Sequence, residues 1–221
     1  AIKDIKKRNM KAFYSAMKAY LLPPAQLAEE AKKLEAAGLD EYTIMDSAGT
    51  MLPDQAAAYT EALADALSIP VAFHCHNNLG LSAANALAAW QNGAAILDCG
   101  LMGMARSAGN LATEVCVALM QRHGEMKDID LFGMLDFIEN RLQPAMAAHN
   151  YHNPISPTDL TLGYSGCHSS FLKLFKKAAA EKGVNLFRLI TEVSAANQKN
   201  PSEELIAQTA DRLIKAQKEE A

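Results

Sequence analysis

The 221-residue sequence predicts an α/β fold: a parallel sheet of repeated βα units followed by a small all-helical C-terminal domain. Three observations predict it. Apolar runs of strand length begin roughly 25–30 residues apart and each is followed by one helical pattern, the signature of parallel strands joined by crossover helices. The strand-like runs stop near Gly124, and only helical periodicity continues beyond it. Half of the residues are hydrophobic and 21% are charged, an ordinary balance for a chain that buries a core. Open doubly wound sheets and closed (β/α) barrels both satisfy this repeat, and both gather functional residues at the C-terminal ends of their strands.

The elements follow in order. Residues 1–9 are expected to be helical, and Lys11–Tyr20, with Phe13, Tyr14 and Met17, to be the first strand. Pro23-Pro24 opens a helix, because proline fits a first turn; Leu27, Ala31 and Leu34 stripe one face of it and Gly38 stands where a C-terminal cap belongs. Glu41–Ser47 is the second strand, ending in the loop Asp46-Ser47-Ala48-Gly49. Pro53-Asp54 starts the helix that carries Tyr59, Leu63 and Leu67; Val71–Asn77 is the third strand, Ser82–Gln91 an Ala-rich helix, Ala95–Cys99 the fourth strand and Leu111–Arg122 a helix. Asp130–Ala147 is helical, with Leu131, Met134, Leu135, Ile138 and Leu142 on one face, and Asn150–Pro157 has linker composition. Helices over Ser169–Lys182, Leu186–Ala196 and Ser202–Lys218 complete the chain; Asn200-Pro201-Ser202-Glu203 is the expected start of the last, with Asn200 as N-cap, proline at the first position and Glu203 at the third. The domain division expected is 1–150 and 151–221.

Composition excludes some functions. A net charge of −4 with no basic patch argues against nucleic-acid binding. No apolar run has membrane-spanning length, and the basic N-terminal residues lack the apolar stretch of a signal peptide. The four cysteines are scattered, without a CxxC pair, so reduced cytoplasmic thiols are expected; Cys99 and Cys167 are expected to be small buried residues.

The chemistry gathers around Val71-Ala72-Phe73-His74-Cys75-His76-Asn77-Asn78-Leu79-Gly80. Side chains alternate along a strand, so His74 and His76 share one side and Val71, Phe73 and Cys75 the other. Two imidazoles at a strand's end are able to share one metal ion. Asp46 ends the second strand nearby, where it either hydrogen-bonds a ligating histidine or satisfies backbone donors of its own loop. The loop from Gly100 to Asn110 is glycine-rich and contains Arg106, either an attractor of anionic substrate or a solvated charge. Asn110 is expected at the start of a helix, to cap it or to face a ligand. Asn77 and Asn78 read as loop-shaping residues. The small polar residues of Gly163–Ser170 mark a second functional stretch.

HCHNNLG, the following GLMGMARSAGNLATEV, MDSAG at the second strand's end and the tail GYSGCHSSFLKLFKKAAAEKGV together resemble the 4-hydroxy-2-oxovalerate aldolases of the HMG-CoA lyase-like superfamily, over essentially the whole chain. The resemblance implies a partial (β/α)8 TIM-type barrel, made of about its last four βα units, with a divalent metal, Mn²⁺ or Mg²⁺, at the C-terminal mouth. It implies His74 and His76 as metal ligands, with Asn110 at or near the metal. It implies retro-aldol cleavage of a 4-hydroxy-2-oxo acid to pyruvate and an aldehyde, with a small 2-oxo acid as ligand, a homo-oligomer, and an acylating aldehyde dehydrogenase as partner. Tyr164 corresponds to the family tyrosine near the substrate, with His168 the alternative, and Asp46 and Arg106 are the substrate-side candidates. The family's first strand carries an Arg-Asp pair and a nearby His, and none of these occurs in the sequence. The alternatives are an HMG-CoA lyase-like or Claisen-type enzyme and a non-catalytic half-barrel that pairs with another chain. The chain alone is expected to bind Mn²⁺ weakly and to lack substantial aldolase activity.

Overall fold

The computed structural model describes residues 1–105, 108–149, 151, 157, 158, 161, 165, 167, 171–197 and 200–219. It divides into two compact units, Ala1–Glu125 and Met126–Ala221.

The first unit is an α/β layer. After helix α1 (Ile2–Lys7) come β1 (Phe13–Ala16), α2 (Pro24–Ala36), β2 (Glu41–Asp46), α3 (Pro53–Ala66), β3 (Val71–Cys75), α4 (Ser82–Gln91), β4 (Ile96–Asp98) and α5 (Thr113–Arg122). All neighbouring strands pair in parallel, and the sheet order β1-β2-β3-β4 is the chain order. α2 contacts α3, α3 contacts α4 and α4 contacts α5. A doubly wound sheet reverses its strand order at a switch point; this sheet does not, so its winding is single, with the helices following one another along one side. Tyr42, Ile44, Val71, Phe73 and Cys75 are buried on that side with Leu27, Ala31, Leu63, Ala86, Ala89, Cys116 and Met120. Glu35, near the end of α2, accepts from the Ser68 N–H and hydroxyl and the Ile69 N–H, which fixes the turn that feeds β3.

The helix boundaries expected from caps and prolines hold closely, and Ser82–Gln91 coincides with α4. The strands are shorter than their apolar runs. The first ends at Ala16 because Lys18 turns left-handed (φ 56°) and Ala19–Leu21 forms a 3-10 turn. The third ends at Cys75: the His76 N–H makes the last bond of the ladder, to the Asp46 C=O (3.1 Å), and the Asn77 N–H turns to the Gly109 C=O. The fifth helix starts at Thr113, since Leu111 and Ala112 spend their backbone on β3 and Gly100.

The second unit is helical among its described residues. α6 (Leu131–Phe137) runs through a π-turn (Ile138–Leu142) into α7 (Gln143–Ala147), and α8 (Leu172–Lys182), α9 (Leu186–Ala196) and α10 (Glu203–Glu219) follow. The widened turn precedes Pro144, which has no N–H to give the ladder. Phe175, Leu189, Ile190, Val193, Ile206, Ala210 and Leu213 form the core of α8–α10. α10 is capped by Ser202, whose hydroxyl accepts from the Leu205 N–H (3.1 Å), while the Asn200 N–H donates to the Asn197 side chain. This corrects the expected Asn200 cap: the serine one residue before the helix has the reach, and Pro201 lies outside. No helix among the described residues is long and apolar enough to cross a membrane.

Candidate metal centre

Strand alternation and sheet register place the residues of the centre. The register sets Met45 and Asp98 beside His74, on β2 and β4 respectively, so these three share a side. Cys75 and its partner Asp46 take the other side, toward the helices. Past β3 the chain acquires a second neighbour. The Asn77 N–H donates to the Gly109 C=O (2.9 Å), the Leu111 N–H donates to the Cys75 C=O (3.3 Å), and His76 and Asn110 form an antiparallel bridge. Asn110 therefore lies beside His76, three residues before α5, and does not cap that helix.

Both imidazoles are buried, His74 at 7% exposure and His76 at 5%. Their ring centres lie 5.4 Å apart with the planes at 77°. Two imidazoles bound to one ion at about 2.1 Å would hold their ring centres about 5 Å apart. Nδ1 of His74 lies 2.7 Å from Oδ2 of Asp98, and Nδ1 of His76 lies 3.2 Å from the Gly109 C=O. A carboxylate and a carbonyl accept, so each ring donates from Nδ1, the tautomer that a second-shell oxygen imposes on a ligating histidine. The His74 hydrogen bond holds the Asp98 carboxyl below its ordinary value, against the opposing effect of burial. Oδ1 of Asn110 is buried and has no hydrogen-bond partner among the described residues. An acceptor left so costs about 1–3 kcal/mol, and a cation at that position would relieve it. Among the described residues no group of three His, Cys, Asp or Glu gathers to hold a metal, so the donor set is two imidazoles and one amide oxygen.

Of the roles open to Asp46, the structure bears out the one within its own loop and not the one toward a histidine or the substrate. It is fully buried, and its two carboxylate oxygens accept from the Thr50 and Met51 N–H groups at 3.0 Å, on the side away from the histidines. Its carboxylate shapes its own loop; it reaches the centre only through its backbone C=O, which accepts from His76. Cys75 stays a thiol: burial first, then the charges of Asp46 and Asp98, push its pKa up to about 12. Arg106, Tyr164 and His168 lie outside the described residues, as does all of Gly163–Ser170 except Ser165 and Cys167.

The role of Asp98 and the whole of Glu114 escaped sequence reasoning. Asp98 orients His74, and the available signal was its place at the end of the strand next to β3 on the histidine side. Glu114, 3% exposed, accepts the Met102 N–H with Oε2 at 3.0 Å. Met102 has φ 57° and Gly103 φ 59°, and the Gly103 C=O accepts from the Asn110 N–H (2.9 Å). Glu114 thus secures the turn that carries Asn110. Burial pushes its carboxyl pKa up.

A 4-hydroxy-2-oxovalerate aldolase of Chloroflexus aurantiacus is 42% identical over 178 residues, covering 80% of this chain and 51% of the relative. One from Carboxydothermus hydrogenoformans is 35% identical over 218 residues, covering 99% and 64%. The chain spans about half the length of the curated relatives it matches, 51% in the first case. Among solved structures, hydroxymethylglutaryl-CoA lyase from Pseudomonas aeruginosa matches with a TM-score of 0.57 at 21% identity, over 69% of this chain and 54% of that one. The carboxyl transferase domain of Rhizobium etli pyruvate carboxylase matches with a TM-score of 0.58 at 19% identity, over 98% and 39%. Both show likeness of fold. A DmpG-like communication domain matches residues 154–215. The HMGL-like family model matches residues 1–139, well over half of the chain, and the chain belongs to that family.

Proposed function

We propose that the chain carries the metal-binding part of a carbon–carbon lyase site that cleaves a 4-hydroxy-2-oxo acid of the 4-hydroxy-2-oxovalerate type to pyruvate and an aldehyde. The supporting observation is the pair of Nδ1-anchored histidines with the unpartnered Asn110 oxygen beside them. His74, His76 and Asn110 would hold Mn²⁺ or Mg²⁺. A bound divalent ion supplies Lewis-acid charge toward the carbonyl and carboxylate of a 2-oxo acid. The chain's own residues do the positioning. Asp98 and the Gly109 carbonyl fix both ring tautomers, and Glu114 fixes the turn of Asn110. Tyr164, or alternatively His168, is assigned to the substrate, and Arg106 to drawing in its carboxylate. In this reading the four βα units belong to a TIM-type barrel within residues 1–150, and residues 151–221 form a communication-type unit that meets an acylating aldehyde dehydrogenase. The relatives' names and the communication-domain match support it.

The donor set offers no carboxylate to a hard divalent cation, which prefers anionic oxygen ligands. No Arg-Asp dipeptide occurs in the sequence, and removal of one preorganised oxyanion donor costs ~10²–10³ in rate. Titration of the full chain with Mn²⁺, followed by electron paramagnetic resonance, is expected to show weak binding that oxalate, a chelating analogue of the pyruvate enolate, strengthens. Asn110→Ala should lower that binding while leaving thermal stability unchanged or higher, because it removes a buried unpaired oxygen. Binding that survives in the His74→Ala/His76→Ala double variant would sink the assignment. A coupled pyruvate assay with the chain alone is expected to show no substantial turnover.

A further inference from the structure

Three of the cysteines lie in or against the core of the first unit, Cys75 and Cys116 within it and Cys99 at its margin. Cys99 follows Asp98 at the end of β4. Gly100, the next residue, donates its N–H to the Leu111 C=O (3.1 Å), accepts the Thr113 N–H at its C=O (2.9 Å) and forms a parallel bridge with Ala112. The Cys116 N–H donates to the Ala112 C=O (2.9 Å), so Cys116 stands one helical turn beyond the residue to which Gly100 is tied. Backbone pairing therefore holds the two cysteines on adjoining elements, and both side chains belong to one core, Cys116 within it and Cys99 packed against it. Both thiols are free. Their exposures differ: Cys99 is partly exposed, contrary to its expected burial, while Cys116 is 3% exposed. One cysteine of the pair is thus half-buried and the other buried.

We propose that Cys99 and Cys116 form a reversible redox dithiol that a hydroperoxide oxidises to an intramolecular disulfide. The Cys99 thiolate attacks one oxygen of the peroxide, an S–O bond forms as the O–O bond breaks, and the other oxygen leaves as the alcohol, or as water from hydrogen peroxide, after taking a proton. Cys116 sulfur then attacks the sulfenic sulfur of Cys99, the S–S bond forms, and the hydroxyl departs as water with the Cys116 proton. Two thiols lose two electrons, which reduce the peroxide. The electrostatics agree with the order of attack. The neighbouring Cys116 thiol, with Thr113, pulls Cys99 down to about 6 against burial and the charges of Asp98 and Glu114, whereas Cys116 is raised by Cys99 and by burial. A lowered thiol is the better supplied nucleophile and an accessible one the better target. The disulfide would tie the end of β4, and with it Asp98, to the first turns of α5.

Peroxide treatment of the reduced full chain, followed by alkylation and peptide mass mapping, tests this. The expected result is the loss of two titratable thiols and about 2 Da per chain, one cross-linked Cys99–Cys116 peptide, unchanged alkylation of Cys75 and Cys167, and reversal by dithiothreitol. Cys116→Ser should stop at a sulfenic acid on Cys99 that dimedone traps, and Cys99→Ser should slow oxidation by about tenfold or more. If either variant fails to fold, the wild-type map alone decides. Retention of both alkylated cysteines after peroxide, or linkage of Cys99 to Cys75, to Cys167 or to a second chain, would overturn the proposal.

Discussion

Asp98 and His74 show what one contact contributes. The carboxylate holds a ring nitrogen at 2.7 Å and so chooses the nitrogen left for a metal. Asp98→Asn keeps the shape and removes the charge; it should weaken Mn²⁺ binding by about 10–100-fold with the circular dichroism spectrum unchanged. Glu114 gives a pH-dependent counterpart. Its folded pKa lies above the ordinary 4.5 because of burial. Its stabilising contribution is therefore complete below about 4.5 and is lost as pH rises through the raised folded value. Melting curves of wild type and Glu114→Gln, which still accepts the Met102 N–H through its amide oxygen, should show wild type losing ground to the variant as pH rises from 4.5. Parallel curves would mean that the carboxyl titrates as it does unfolded. That His74 and His76 share one side was legible from alternation along one strand, and the place of Asn110 beside them agrees with the neighbouring loop motif. The role of Asp98 was not legible, because its partnership with His74 depends on register between strands 24 positions apart in sequence. Asp46 was ambiguous for the same reason: only its pairing with Cys75 shows which side it takes.

At the scale of elements, helix termini were readable where proline, asparagine or glycine punctuate the chain. Asn185 is such a case: its side chain accepts the Arg188 N–H at 2.8 Å and donates to Asp136. Asn185→Ala should lower the stability of the second unit by about 1–2 kcal/mol, measured by urea unfolding. Strand ends were less readable, because an apolar run continues after its residues have stopped pairing, as Met17 does beyond β1. The loop after β2 depends on a close approach. Gly49 has φ 61°, and a Cβ there would lie 2.6 Å from the Asn78 nitrogen and the His76 oxygen. Gly49→Ala must displace the backbone beside His76, so it is expected to reduce metal affinity and melting temperature together; a variant that melts and binds as wild type does would show that this loop yields freely.

Across the first unit, the single winding covers one side of the sheet with helices, and the other side includes exposed Phe13 (60%) and Ile96 (38%) on the two outer strands. Tyr14 in β1, and Met17 and Leu21 after it, add exposed apolar surface. Outer strands with free N–H and C=O groups and apolar side chains invite pairing between chains. The chain should therefore self-associate with rising concentration in sedimentation velocity, and Phe13→Lys should shift the distribution toward the monomer. Identical profiles for the two would place the contact elsewhere. The α/β class and the βα repeat were legible from periodicity alone, whereas the choice between single and double winding depended on which strands are neighbours, and no local pattern in the sequence encodes that.

The position of β3 has a kinetic consequence. β1 and β4 each have one hydrogen-bonded neighbour, but β3 has β2 on one side and β4 on the other, and the Gly109–Leu111 segment takes over where its ladder ends. Opening at either margin of the sheet exposes the outer strands while leaving the backbone under His74 and His76 paired. Amide protons from Val71 to Asn77 should accordingly outlast those of Phe13–Ala16 in hydrogen exchange. The histidine pair would then persist through fraying that the margins undergo repeatedly, and its lifetime would follow global unfolding of the unit.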